Sequence, residues 1–174
     1  MGLRSLIRSA INCLIENPEQ NMILSVIVVN NRGIPRLTRF YEDMTFERKK
    51  HLTKEIYNLI SKRPASACNF LENTGIWGDS KSIKIIYRLY ATLCFVIVCD
   101  AAENELAILD LIQNYVECLD NAFHNVCELH LIFNHEKCYA ILDEIICAGL
   151  ILETKSSDVL PSVDAMDKLD KASR

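Results

Sequence analysis

Residues 83–100 read IKIIYRLYATLCFVIVCD, and this stretch decides the fold. Ile83 to Tyr90 and Ala91 to Cys99 each carry the β-branched and aromatic residues that favour strands. Their apolar positions are too dense for a sheet with one wet face, so both faces should be covered. Working back, Ile23 to Asn30 has the same character. Asn30-Asn31-Arg32-Gly33 is turn chemistry, with Gly33 able to take positive φ. Arg36 to Tyr41 then resumes as the return strand of a hairpin. Thr45 is a fitting N-cap, and Leu52, Ile56, Leu59 and Ile60 mark one face of a helix that ends near Arg63, before Pro64. Cys68 to Glu72 reads as a further strand, and 73–82 as a polar, Gly-containing loop.

Beyond the deciding stretch the period changes. Leu106, Ile108, Leu109, Ile112, Tyr115, Val116, Leu119, Ala122 and Phe123 recur at helical spacing, and so do Leu131, Ile132, Cys138, Ile141, Leu142, Ile145 and Ile146. Gly149 is placed to cap a helix C-terminus. The predicted order is hairpin, helix, three strands, helix, helix: an α+β domain with a five-stranded, mainly antiparallel sheet flanked by helices. The expected organisation is an N-terminal extension at 1–21, one domain at 22–154 and a polar tail at 155–174.

The bulk properties exclude several function classes. The formal net charge of −4 argues against non-specific nucleic-acid binding, which needs an excess of Lys and Arg. The 8 cysteines mostly sit inside apolar runs, where a reduced thiol acts as a small hydrophobe. The N-terminus is read as lacking a signal peptide and the compartment as reducing. No apolar run reaches the ~18 residues that span a bilayer. Gly2 follows Met1, but Leu6 stands where a myristoylation signal wants Ser or Thr. Leu3, Leu6, Ile7, Ala10, Leu14 and Ile15 recur at helical spacing beside Arg4 and Arg8. That pattern suits a basic amphipathic helix on a membrane, or simply an extension, and the extension is the preferred reading.

The motifs of catalysis are missing: no phosphate-binding loop, dinucleotide fingerprint or nucleophile elbow is present. Cys127, His130, His135 and Cys138 have zinc-ligand chemistry, but on a helix residues 127 and 138 lie about 16 Å apart and 130 and 135 point about 140° apart. No metal is expected there. Asp110, Glu117 and Asp120 share one helix stripe, which reads as a solvated face. No catalytic residue and no cofactor is expected. Ser61, Lys62, Arg63, Arg88, Arg32, Arg36 and Arg39 form a more interesting set, several of them near strand ends.

The stretches PRLTRFY (35–41), CNFLE (68–72), IIYRLYATLCFVIVCD (85–100), NELAILDLIQNYVECLD (104–120) and FHNVCELHLIF (123–133) resemble the sigma, or small, subunits of vesicle-coat adaptor complexes. The blocks follow that family's order from Met22 to about Thr154. ELAILDLIQ, the longer loop after CNFLE and LET at 152–154 are most similar to the sigma subunit of adaptor protein complex 3. The resemblance implies a longin-like domain that binds a large, delta-type subunit directly and joins beta and mu subunits in a heterotetramer. It implies peripheral membrane association through that complex, on Golgi, endosomal and coat membranes, with recognition of acidic dileucine signals, [DE]-x-x-x-L-[LI], on cytosolic tails of membrane cargo. Carried over residue by residue, the apolar pocket of the family maps onto Ala91 and Leu93 on the last strand, Val116 on the following helix, and Val126 and Leu131 beyond it. Asn125 lines the pocket, and Arg36 faces the acidic residue of the signal. The sequence departs from the pattern at Ile34, where the family often has Lys, and at His130, where it has an acid. A different longin-type assembly protein, or a small enzyme or zinc protein, are the competing readings.

Overall fold

The eight residues of β1 (Ile23–Asn30) are all buried, as expected of a strand whose Ile and Val side chains leave no polar face. The computed structural model describes residues 23–64, 66–72, 75–78, 82–152, 159–161 and 163; the expected N-terminal extension, 1–21, lies outside them. β1 is followed by β2 (Pro35–Phe40), α1 (Phe46–Ser61), β3 (Phe70–Glu72), β4 (Ile83–Tyr90), β5 (Leu93–Asp100), α2 (Glu105–Phe123), α3 (Glu128–Phe133), α4 (His135–Ile145) and the short pair β6 (Ile146–Cys147) and β7 (Leu150–Ile151). The main sheet is five-stranded in the order β2-β1-β5-β4-β3, every pairing antiparallel. The described residues form two compact units, one up to Ile112 and the other from Gln113 onward.

In the first unit the register sorts the side chains by face. Ile27 lies across from Val96, and Val96 from Tyr87, whereas Val26 lies across from Ile97, and Ile97 from Ile86. The first row joins Leu24, Val29, Ile85 and Val98 in a core with Leu52, Ile56 and Ile60 of α1. The second row, with Val28 and Phe95, is equally buried, as both-face coverage requires. α1 starts at the N-cap Thr45, whose hydroxyl accepts the Arg48 N–H at 3.4 Å. The loop read as polar contributes more than a connection. Trp77 is only 7% exposed, stacks on Phe40 at 6.1 Å and donates its indole N–H to Glu42 at 2.8 Å. Arg48 reaches across to the Ile76 carbonyl at 2.7 Å. On β4 Lys84 binds the Glu105 carboxylate at 2.5 Å and the Glu103 carbonyl at 3.0 Å, fixing the first turn of α2.

In the second unit Tyr115 on α2 donates its hydroxyl to the Cys138 carbonyl of α4 at 3.1 Å. Two sequence expectations need correction here. The apolar pattern from Leu131 to Ile146 is divided at Asn134, which ends α3 and begins α4, so it is not one helix. Gly149 does not cap a helix: α4 ends at Ile145 with Ile146 as its cap, and Gly149 with Ala148 forms the β6–β7 turn, both at positive φ. Val159 and Val163, within the stretch read as a polar tail, are buried.

Candidate functional site

The first unit places three of the expected site residues at one end of its sheet. Val28 pairs with Leu37 and Val29 with Pro35, so Arg36 between them is the extra residue of a β-bulge. A bulge residue stands outside the ladder, and the local twist re-aims its side chain. Arg36 is half-buried. Leu93, the first residue of β5, pairs with Asn30, and Cys94 pairs with Val29. Val29 therefore has Pro35 on one side and Cys94 on the other. β2 and β5 flank β1, so Arg36 and Leu93 sit about 10 Å apart at strand spacing.

Ala91 departs from expectation. It is not on the last strand but in the two-residue turn between β4 and β5, exposed, with φ 51°. The tight reversal demands a left-handed residue, and the sequence offers no Gly or Asn there; Ala accepts the strain because the flanking ladder runs unbroken from Ile83–Asp100 to Tyr90–Leu93. Beside it, Tyr90 packs edge-on against Phe95 and carries the Arg88 guanidinium over its ring at 5.5 Å. Ile34, where the resembled family often has Lys, is 44% exposed.

The second unit holds the other four. Val116 faces inward from α2, and Leu131 is only 1% exposed on α3, so both are core side chains as the unit stands. Asn125 and Val126 form the joint between α2 and α3. α2 closes with the His124 N–H on the Asp120 carbonyl at 2.8 Å, and His124 and Asn125 then both take positive φ, 51° and 83°. The Asp120 carboxylate accepts the Val126 N–H at 3.0 Å, which turns the chain into α3. Asn125 is exposed and Val126 half-buried.

His130 in α3 has its imidazole Nδ1 accepting the Cys127 N–H at 3.1 Å and its ring stacked on Phe123 at 5.0 Å. It acts as a local helix cap. Cys127 is exposed and Cys138 fully buried, so the spaced Cys and His residues do not converge. Among the described residues no group of three or more His, Cys, Asp or Glu is placed to hold a metal ion. Two carboxylates of the α2 stripe have structural partners: Glu117 accepts from Gln113 at 2.8 Å, and Asp120 holds the joint.

Titration reflects burial. Desolvation pushes the Cys94 and Cys99 thiols up to about 12, and Cys118 and Cys138 up to about 11, so these are inert protonated thiols. The hydrogen bond to Glu105 raises Lys84, and the same bond lowers Glu105.

A five-stranded antiparallel sheet with helices and a bulged arginine at one sheet end fits a binding subunit of small-chain adaptor type. The family model for the clathrin adaptor complex small chain matches residues 22–170, and the chain belongs to that family. It is 47% identical to the AP-3 complex subunit sigma of Dictyostelium discoideum, over 87% of this chain and 89% of that one. It is 44% identical to the Arabidopsis thaliana AP-3 complex subunit sigma, over 87% and 90%, and 45% identical to human AP-3 complex subunit sigma-2, over 87% and 78%. In three dimensions it matches a chain of a homology model of the full-length AP-3 complex in a stretched open conformation, with TM-score 0.67, 37% identity and coverage of 87% and 97%. These are subunits of a non-enzymatic vesicle coat, and the chain is not an enzyme.

Residues absent from the sequence reading that hold this part of the structure are Tyr57 and Asn30 at the β1–β2 loop, and Trp77 at the opposite end of the sheet. Asn30 is a buried polar residue at a strand end, legible beforehand only as turn composition. Tyr57 and Trp77 act through contacts distant in sequence, which periodicity does not register.

Proposed function

We propose that the chain is the small subunit of an AP-3-type heterotetrameric adaptor, bound directly to a delta-type large subunit and completed by beta and mu subunits. With its large subunit it reads acidic dileucine signals on the cytosolic tails of membrane cargo bound from Golgi and endosomal membranes to lysosome-like organelles. The observation that carries the reading is the placement of Arg36 as a bulge residue at the same sheet end as Leu93. In an extended signal the acidic residue and the first leucine are four residues apart, at most about 14 Å. That span suits the ~10 Å between the two strand positions, with the arginine side chain taking up the difference. Arg is suited to the carboxylate because its guanidinium binds it as a planar fork. By the resemblance, the apolar side chains for the leucines would come from Leu93 in the first unit and from Val116, Val126 and Leu131 in the second, with the exposed Asn125 supplying an amide.

No helix among the described residues is long and apolar enough to cross a membrane. The reading therefore assigns membrane contact to the assembled complex and its cargo. The experiment is co-purification of a tagged chain from its native cells, followed by binding of a Glu-x-x-x-Leu-Leu peptide to the recovered assembly. Recovery of delta-, beta- and mu-type subunits, with binding lost in Arg36→Ala and Val116→Ser, is the expected result. Recovery of a different coat, or equal binding by the variants, overturns it.

A further inference from the structure

We infer that Tyr57 is a positioning residue for acid recognition: it clamps the β1–β2 loop so that Arg36 is presented in one orientation. The inference rests on the dileucine reading above and adds a residue outside the expected pocket. Three sets of contacts hold the loop. Gly33 sits at φ 75°, and its missing Cβ is what admits the Tyr57 ring; a Cβ there would meet Cδ1 of Tyr57 at 2.5 Å. The Tyr57 hydroxyl donates to the Asn31 carbonyl at 2.8 Å. Within the loop, the buried Asn30 amide oxygen accepts the N–H of Arg32 at 3.0 Å and of Ile34 at 2.9 Å. Its main chain adds Asn30 N–H to the Ile34 carbonyl and Gly33 N–H to the Asn30 carbonyl, each at 3.0 Å.

Downstream the chain has no soft joint before the arginine. Ile34 is bonded on both its N–H and its carbonyl. Pro35 has a fixed φ and pairs with Val29, and Arg36 follows at once as the bulge residue. Arg36 is thus the first residue after the clamped loop that stands outside the ladder. A hairpin of turn-forming residues alone does not need an aromatic from α1 pressed on its glycine. Its effect is to remove loop motion that a bulged arginine would otherwise share. Pre-ordering of a charged donor shows as discrimination for the carboxylate, because an arginine that must be ordered on binding loses part of the gain.

The test uses the assembled adaptor, co-expressed with its partner subunits, and two peptides, Glu-x-x-x-Leu-Leu and its Gln-x-x-x-Leu-Leu counterpart. Wild type is expected to prefer the Glu peptide. Tyr57→Phe keeps the ring against Gly33 but loses the bond to Asn31. It is expected to lower the Glu/Gln preference by about 2- to 10-fold, the range of one hydrogen bond, with affinity for the Gln peptide unchanged. Amide exchange at Arg32, Gly33 and Ile34 should speed up in the same variant. Arg36→Ala should abolish the preference and leave that exchange as in wild type. Tyr57→Phe with an unchanged preference overturns the proposal, and so does unchanged exchange. A wild-type assembly that binds the two peptides equally overturns the acid-reading role of Arg36 and Tyr57's part in it together. That outcome is distinguishable because the exchange comparison still reports the clamp.

Discussion

At the scale of single residues, burial separates the thiols into two sets with different chemistry. Cys94, Cys99, Cys118 and Cys138 are buried, whereas Cys68 and Cys127 are exposed. With thiols near 12 and 11, the buried set holds roughly one thiolate in ten thousand to one in a thousand molecules at pH 8. Only the thiolate attacks an alkylating or disulfide reagent. With Cys13 replaced by Ser, rapid labelling is expected at Cys68 and Cys127, slower labelling at the half-buried Cys147, whose thiol burial raises, and reaction of the four buried thiols only in denaturant; mass mapping of the labelled peptides checks it. Asn125 raises a different question, since it is both an expected signal-binding residue and a left-handed residue at φ 83°. Asn tolerates that conformation where most residues do not. Asn125→Gly should therefore leave stability within about 0.5 kcal/mol of wild type, while Asn125→Val should cost about 1–2 kcal/mol. Denaturant titration gives those two values. Peptide binding by Asn125→Gly then isolates the amide: the proposed role requires a loss of affinity in a protein of unchanged stability.

At the scale of elements, the ion pair that fixes the start of α2 links stability to pH in two directions. Lys84 is raised by its bond to Glu105, so its contribution is fully present below its ordinary value of 10.5 and is lost as pH rises through the raised value. Glu105 is lowered by the same bond, so its contribution is present above its ordinary 4.5 and is lost as pH falls through the lowered value. Glu103 works against this on the acid side, because burial and then Asp100 raise it, and it is relieved by protonation. Glu105→Gln should be less stable than wild type across neutral pH, and the gap should close as pH falls below about 4.5; urea midpoints for both proteins through pH 3–8 test the sign. A gap that is constant to pH 3 would mean the pair carries no linkage. Boundaries of β1, β2, α1 and α2 were legible in the sequence to within a residue or two, because each announces itself through apolar period or a local cap such as Thr45. The break at Asn134 was not, since the apolar residues on either side keep helical spacing while the main chain turns. Ala91 and Gly149 were misplaced for a related reason: a left-handed turn residue is chosen by the ladder around it, and only the ladder shows whether it ends a helix or joins two strands. For the site, residue identities followed from the family pattern. The bulge that sets Arg36 apart, the Tyr57 contact and the docked Trp77 depend on pairings across the chain.

At the scale of the whole molecule, the proposed site is too small to hold cargo by itself. Burying two leucine side chains contributes about 1.5–3 kcal/mol each, and a charge-assisted hydrogen bond from Arg36 about 1.5–3 kcal/mol. Loss of translational and rotational freedom opposes these by about 4–15 kcal/mol. The remainder is at most about 5 kcal/mol, which corresponds to an affinity of about 0.2 mM or weaker for one tail. Val116 and Leu131 are core side chains in the second unit, so the chain without its large partner should bind more weakly still. Capture on a membrane must then come from number. Once one tail is held, a second contact of the same assembly with the same bilayer is intramolecular, at an effective concentration in the millimolar range, and avidity can exceed the single affinity by about 10²–10⁴. The assembled adaptor is therefore expected to bind liposomes that display the tail densely at least about 100-fold more tightly than it binds the free peptide, and to lose that advantage as tail density falls. Arg36→Ala should weaken the liposome binding more steeply than the peptide binding, because each multivalent attachment repeats the lost contact. Sedimentation with liposomes of graded tail density, beside peptide titration by calorimetry, measures both. Equal affinities for peptide and liposome would require a second source of single-site binding energy, larger than two leucines and one arginine provide.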